Sequence, residues 1–128
     1  MKKKYLIVIA NYYKNISKGL LKSAKDKLPK SSIIKIINVP GVFEIPVTIS
    51  KNINKYDGFL ALGCVIKGET PHFDFISDAS TKAILKLSII NKKPIGNGII
   101  TCLNMQQAIA RKKKGSEAAQ AVISVLSQ

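Results

Sequence analysis

The chain has 128 residues, of which 46% are hydrophobic, and its formal net charge is +14. This length fits a single domain with a proper hydrophobic core, and no apolar run is long enough to span a membrane. The amino terminus, Met1-Lys2-Lys3-Lys4, does not have the pattern of a secretory signal, so we expect a soluble, cytoplasmic protein.

The positive charge raises the question of nucleic-acid binding. Of the 21 cationic side chains, only Arg111 is an arginine, and the chain has no tryptophan. Nucleic-acid sites usually depend on arginine and on interleaved aromatic residues, so a solvated lysine surface is favoured over a specific site. The charge can still speed encounter with anionic substrates. Salt-sensitive binding of nucleic acid through the lysines stays open as an alternative hypothesis.

Apolar periodicity predicts an alternation of strands and helices. Continuous apolar runs are typical of strands buried on both faces, and apolar residues at helical spacing mark the helices between them. The predicted strands cover residues 4–10, 33–39, 59–66 and 94–103. The predicted helices cover residues 16–28, 43–54, 71–91, 104–113 and 116–126. Pro29 ends the first helix, Pro46 fits the first turn of the second, and Gly115 separates the last two.

Three of these elements have further patterns. The fourth strand is expected to be softened by Gly96-Asn97-Gly98. The last helix carries a face of small residues, namely Ala118, Ala119 and Ala121. The third helix is expected to place five apolar residues on one face: Ile76, Ala79, Ala83, Leu87 and Ile90.

Alternating strands and helices predict an α/β fold, with a parallel sheet and helices on both of its faces, in one domain over residues 1–128. Ligands bind to such folds beyond the carboxyl ends of the strands. In this chain those ends fall at residues 11–12, 40–44, 64–72 and 101–106.

The stretch from Gly63 to Phe75 contains the only histidine of the chain, His72. Its glycines, a threonine that can cap a helix and a following proline predict a strand–loop–helix junction, whose free backbone N–H groups suit a phosphate. The positive end of the helix favours a neutral imidazole at His72, which can accept a proton, and Asp74 could orient the ring. A histidine that only caps or packs is the alternative.

Several other residues at the strand ends have two interpretations each. Tyr12 is either a surface side chain or a platform that stacks on a planar heterocycle. Glu44 complements the dipole of a helix, unless a ligand lies beside it. Arg111 could clamp a phosphate or a carboxylate with its planar fork. Cys64 and Cys102 lie in apolar runs and are expected to be buried free thiols, and the chain offers too few ligands for a metal site.

Four stretches of the sequence together form a pattern found in a known family. They are Pro-Gly-Val-Phe-Glu-Ile-Pro at 40–46, the run at 63–75, the segment 101–111 with Met-Gln-Gln-Ala, and Lys-Gly-Ser-Glu-Ala-Ala at 114–119. In this order and spacing they resemble the 6,7-dimethyl-8-ribityllumazine synthase family over almost the whole chain. The resemblance implies a flavodoxin-like, three-layer αβα sandwich with a four-stranded parallel sheet, assembled as a pentamer or a multiple of pentamers.

The family condenses 5-amino-6-(D-ribitylamino)uracil with 3,4-dihydroxy-2-butanone 4-phosphate without a metal or an organic cofactor, and the resemblance carries its site over residue by residue. His72 matches the residue that donates and accepts protons. The pyrimidine and its ribityl chain would contact Tyr12, Val42, Phe43, Glu44, Cys64, Val65 and Ile66. The phosphate would contact Glu69, Thr70, Arg111 and Lys114, of which the last two resemble contributions of a neighbouring subunit.

This chain departs from the family pattern at three places. Asn97 stands where many members have an aromatic residue that closes over the pyrimidine, so stacking is one-sided here or Asn97 hydrogen-bonds the ring. Pro71 lies between Thr70 and His72, and the connection from Arg111 to Lys114 is short. A non-catalytic member that keeps the fold and binds a flavin-like ring is therefore a second hypothesis.

Overall fold

A computed structural model describes residues 2–68 and 72–128. In this part of the chain, β1 (Lys4–Ala10), β2 (Ile33–Val39), β3 (Gly58–Ile66) and β4 (Ile95–Cys102) form one parallel sheet in the order β2-β1-β3-β4. The helices are α1 (Lys14–Lys27), α2 (Ile45–Lys51), α3 (His72–Asn91), α4 (Met105–Ala110) and α5 (Lys114–Leu126), and one 3-10 turn covers Val42–Glu44.

The two central strands, β1 and β3, are buried on both faces, as their continuous apolar runs predict. Alternate residues of the strands contribute to two separate cores. On one face α1, α4 and α5 pack against a core that contains Tyr5, Ile7, Ile9, Leu20, Leu60, Leu62 and Val122. On the other face α2 and α3 pack against Leu6, Val8, Ala10, Ile45, Ile49, Phe59 and Ile84. This arrangement confirms the three-layer αβα sandwich of flavodoxin-like type.

A buried hydrogen bond joins the start of α1 to the end of β1. Ser17 Oγ donates to the carbonyl oxygen of Ala10 over 2.7 Å, which satisfies the last carbonyl of β1 inside the protein. One turn apart along α1, Ile16, Leu20 and Ala24 face the core and are almost fully buried. The link between β1 and α1 is therefore fixed close to the carboxyl end of the sheet.

Gly115 lies inside α5, and the prediction that it separates two helices is wrong. A Cβ atom at this position would lie 2.2 Å from the carbonyl oxygen of Leu20, so the absence of a side chain is what lets α5 approach α1. The contact is completed by Ser116, whose backbone N–H donates to Ser23 Oγ over 2.8 Å. Glycine here serves helix packing and does not end a helix.

Strand β4 is continuous through Gly96, Asn97 and Gly98, so the two glycines do not soften it. They serve close packing, because a Cβ atom would lie 2.3 Å from the carbonyl oxygen of Ala118 at Gly96 and 2.5 Å from Leu62 Cδ2 at Gly98. Asn97 lies between them on an exposed part of the strand.

Helix α3 buries a somewhat different face from the predicted one. Ile84 and Ser80 are buried, whereas Ala79 and Ile90 of the predicted face are exposed. The buried stripe follows the contacts of α3 with α2 and with β4, which the apolar spacing alone does not define. On the last helix, Ala121 is likewise exposed. Within residues 2–68 and 72–128, no helix combines the length and the apolar character that crossing a membrane requires.

Candidate functional site

An open cavity of about 680 Å³ lies at the carboxyl end of the sheet. We call it the aromatic cavity, and its lining comes from the ends of β1, β2 and β3 and from the start of α3. The lining residues are Tyr12, Tyr13, Pro40, Gly41, Val42, Phe43, Glu44, Cys64, Val65, Ile66, His72 and Ile76. Its position is the one at which parallel α/β sheets bind ligands. Eight of the residues that the sequence singles out therefore lie around one space.

Two tyrosines form one wall of the aromatic cavity. The rings of Tyr12 and Tyr13 meet edge to face with their centroids 4.9 Å apart. Tyr12 is 74% exposed, whereas Tyr13 packs against the core beside α1. Burial, followed by the neighbouring Tyr12 and Cys64, raises the pKa of Tyr13. Tyr13 therefore supports a Tyr12 ring whose outer face is free to stack on a planar ligand.

The segment after β2 forms a second wall. The sequence predicts one helix over 43–54, but the chain first makes the 3-10 turn, in which the Glu44 N–H donates to the Gly41 carbonyl over 3.2 Å. Helix α2 then begins with Pro46 in its first turn, as predicted, and ends at Lys51. The turn directs Val42 into the core and leaves Phe43 65% exposed. Phe43 and Glu44 thus give this wall an apolar and an acidic side chain.

The floor of the aromatic cavity is formed by the end of β3. Cys64 and Cys102 are both free and buried, as predicted. Burial, and next the nearby Cys102 thiol, raise the pKa of Cys64 to about 12. At neutral pH Cys64 is therefore a protonated thiol and a poor nucleophile. Val65 and Ile66 continue the floor as partly buried apolar side chains.

His72 borders the aromatic cavity at the start of α3, and Asp74 follows it in the first turn. The imidazole is exposed and lies beside the space in which a ligand would sit. Glu69, Thr70 and Pro71 are outside the described residues, and so are the phosphate contacts predicted for Glu69 and Thr70. What the structure places is a histidine at the head of a 20-residue helix, facing an apolar cavity.

A second cavity, also of about 680 Å³, lies beside β4 and α5. We call it the basic cavity, and it contains three further predicted site residues, Asn97, Arg111 and Lys114. Its lining residues are Thr81, Asn97, Ile99, Ile100, Thr101, Ala110, Arg111, Lys113, Lys114 and Glu117. Among the described residues, it shares no lining residue with the aromatic cavity. In this part of the chain Asn97, Arg111 and Lys114 therefore line a different cavity from His72.

Arg111 and Asn97 are both tied to the β4 backbone. Arg111 Nη1 donates to the Thr101 carbonyl over 3.1 Å and approaches Cys102 Sγ at 3.8 Å. Asn97 Oδ1 accepts the Ile99 N–H over 3.1 Å, which leaves the Asn97 amide nitrogen as a donor toward the cavity. Among the described residues, three cations and one acid, Glu117, line this cavity, so their charge favours an anion.

Several lining residues are missed by residue-by-residue interpretation, among them Tyr13, Ile76 and Thr81. Tyr13 adjoins a predicted site residue, and Ile76 follows His72 by one helical turn, so both could have been found by adjacency. The place of Thr81 depends on how α3 packs against β4. Within the described part of the chain, no group of three or more His, Cys, Asp or Glu side chains could hold a metal ion.

Comparison with known proteins identifies the family of this chain. The family model for 6,7-dimethyl-8-ribityllumazine synthase matches residues 2–128. A protein of that name from Agrobacterium fabrum is 41% identical, and the alignment covers 94% of this chain and 90% of the relative. The corresponding proteins are 46% identical in Bartonella bacilliformis, covering 88% and 77% of the two chains, and 39% identical in Cutibacterium acnes, covering 96% and 80%. This chain therefore belongs to the 6,7-dimethyl-8-ribityllumazine synthase family.

Proposed function

We propose that this chain is a transferase of riboflavin biosynthesis. It condenses 5-amino-6-(D-ribitylamino)uracil with 3,4-dihydroxy-2-butanone 4-phosphate to 6,7-dimethyl-8-ribityllumazine, and releases phosphate and water. The observation that carries the proposal is the match to the family over residues 2–128, together with relatives of that name at about 40% identity. We place the reaction in the cytoplasm, with no organic cofactor and no metal.

The aromatic cavity supports the assignment of the pyrimidine site. Tyr12 would stack on the ring, Val42, Phe43, Cys64, Val65 and Ile66 would surround it, and Glu44 would accept hydrogen bonds from the ribityl hydroxyls. A cavity of about 680 Å³ is large enough for this substrate and the four-carbon phosphate. His72 at its edge would move protons in imine formation, phosphate loss and ring closure.

The basic cavity supports the assignment of the phosphate site and of an oligomer. Arg111 and Lys114 would hold the phosphate together with Glu69 and Thr70. Asn97, which lines the same cavity as Arg111, would face the pyrimidine ring. Within the described part of one chain these residues line a different cavity from His72, which supports a site completed by a second copy. Exposed apolar side chains support that assembly, because such surfaces usually mark contacts: Phe75, Leu85, Ile89, Ile90, Leu103 and Ile109. We therefore propose a homo-oligomer, a pentamer or a multiple of pentamers, with active sites between subunits.

Formation of the fluorescent lumazine from the two substrates tests this function. We expect His72→Ala to lower kcat by about 10²-fold or more, since acid–base groups usually contribute that much. Arg111→Ala should mainly raise KM for the phosphate substrate, and Arg111→Lys should restore only part of the loss because it lacks the fork. Lys112→Ala is the matched control, because this neighbouring cation is exposed and lines neither cavity. No product above the uncatalysed background would refute the proposal.

Mixed oligomers test whether the site is shared. At a phosphate-substrate concentration well below the raised KM of Arg111→Ala, the His72→Ala and Arg111→Ala chains each have little activity, but a random mixture of equal parts restores a site wherever the two intact residues meet. In a ring of identical contacts this happens at about one quarter of the interfaces. Recovery of activity after the two variants are unfolded and refolded together, but not when refolded separately, supports a two-subunit site. Without recovery, all site residues belong to one chain. Binding of the ring without synthesis would instead select the non-catalytic hypothesis.

A further inference from the structure

The two walls of the aromatic cavity come from separate segments of the chain. Tyr12 and Tyr13 follow β1, whereas Pro40 to Glu44 follow β2. Strands β1 and β2 are neighbours, and their paired residues run as far as Ala10 and Val39. The width of the cavity between the two walls therefore depends on how the strand exits are held together.

Two hydrogen bonds join these exits directly before the walls begin. The backbone N–H of Asn11 donates to the Val39 carbonyl over 3.0 Å, which extends the sheet by one bond. The side chains add a second link, in which Asn11 Nδ2 donates to Asn38 Oδ1 over 2.9 Å. Both asparagines are exposed, and neither lines the aromatic or the basic cavity. Their side chains thus bond across the strands and do not face a ligand from within either cavity.

We propose that Asn11 and Asn38 are positioning residues of the pyrimidine site. Tyr12 is the next residue after Asn11, and its ring is mostly exposed, so its direction depends on the backbone at Asn11 and on Tyr13. The Asn11–Asn38 bond fixes that backbone against the segment that continues to Phe43 and Glu44. The inference rests on the proposed function, because the ligand held between the walls is the pyrimidine substrate.

Variants of the two asparagines test the inference on the intact oligomer. Asn11→Ala and Asn38→Ala each remove the link, and we expect KM for the pyrimidine to rise about fivefold, the equivalent of one ordinary hydrogen bond. KM for the phosphate substrate and kcat should change less than twofold. The double variant should be no worse than either single one, because both remove the same bond. Asn38→Asp keeps the acceptor oxygen, so this variant should have the same KM for the pyrimidine as the unmodified chain.

A matched control and a second readout separate positioning from loss of fold. Asn54→Ala changes an exposed asparagine at the opposite end of the sheet, in the turn before β3, and should leave both KM values unchanged. Thermal unfolding should agree within a few degrees among all variants. A pyrimidine KM that stays constant in both alanine variants, or one that rises together with the other KM, overturns the inference.

Direct binding distinguishes this failure from a failure of the proposed function. The chain has four tyrosines and no tryptophan, so quenching of tyrosine fluorescence reports binding of the ribitylaminouracil without turnover. An unmodified chain that binds but does not synthesise the lumazine refutes the enzyme, while weaker binding by Asn11→Ala still supports positioning. If the unmodified chain does not bind the pyrimidine, both proposals are wrong.

Discussion

Replacing Gly115 by alanine should destabilise the protein, although alanine is the better helix former. The contact at this position is with backbone, since a Cβ atom would meet the Leu20 carbonyl oxygen at 2.2 Å and the Ala24 nitrogen at 3.2 Å. A rotamer change cannot relieve such a clash. The variant must therefore move α5 away from α1, or bend one of the two helices.

The size of the effect follows from two opposing terms. Overpacking of a tight contact lowers the free energy of unfolding by up to about 3 kcal/mol, and a clash with backbone belongs at this upper end. The higher helix propensity of alanine over glycine raises it by about 1 kcal/mol. The expected net loss in the free energy of unfolding is thus about 2 kcal/mol. With an unfolding entropy of about 2.1 cal/mol/K per residue over 128 residues, this loss lowers Tm by about 7 °C.

Thermal unfolding followed by circular dichroism at one fixed protein concentration measures this change. Gly68→Ala is the matched control, because a Cβ atom there would have nothing within 4 Å and its Tm should stay within about 2 °C of the parent, since exposed substitutions have small effects. An unchanged or higher Tm for Gly115→Ala would show that α1 and α5 separate without loss, and would refute the argument that the glycine is required for their contact.

Three further changes test local features by urea unfolding. Lys92 has a φ of 54°, so Lys92→Gly should raise the free energy of unfolding by up to about 1 kcal/mol, whereas Lys92→Met should leave it unchanged. Lys93 Nζ donates to the carbonyls of Ile53 and Tyr56 over 2.8 and 2.9 Å, so Lys93→Met should lower the free energy of unfolding by about 1–2 kcal/mol. An effect no larger than that of Lys92→Met would contradict this. The raised pKa of Cys64, about 12 against an ordinary 9.0, means that the unfolded chain loses this proton first as pH rises. The contribution of this thiol to the free energy of unfolding is therefore complete below pH 9 and is lost as the pH rises toward 12. Between these pH values the Cys64→Ala variant should lose less stability than the unmodified chain. Parallel curves of stability against pH for the two proteins would show that burial does not perturb the thiol.

The fold followed from local signals because the central strands are buried on both faces. Continuous apolar runs predicted β1 and β2 with the observed bounds, and the parallel order followed from the alternation with helices. The errors concern tertiary packing. Gly115 has the local pattern of a break, but the neighbouring α1 determines its role. The buried face of α3 also depends on where β4 lies, which residue spacing does not contain.

The site was predictable in part for a similar reason. In a parallel sheet the carboxyl ends of all strands lie at the same end of the sheet. The sequence alone could therefore place Tyr12, Glu44 and His72 together at that end. The division into two cavities could not be read from the order of residues along the chain. Arg111 also lies at the carboxyl end of the sheet, yet its bond to the Thr101 carbonyl ties it to the edge strand β4, beside the basic cavity.

The strand order also divides the molecule by how readily its parts open. The aromatic cavity begins at the ends of the central strands β1 and β3, whose amides lie under both helical layers. The basic cavity borders the edge strand β4, which pairs with β3 alone, and the six-residue helix α4. Amide exchange should therefore be slowest in β1 and β3 and much faster in α4.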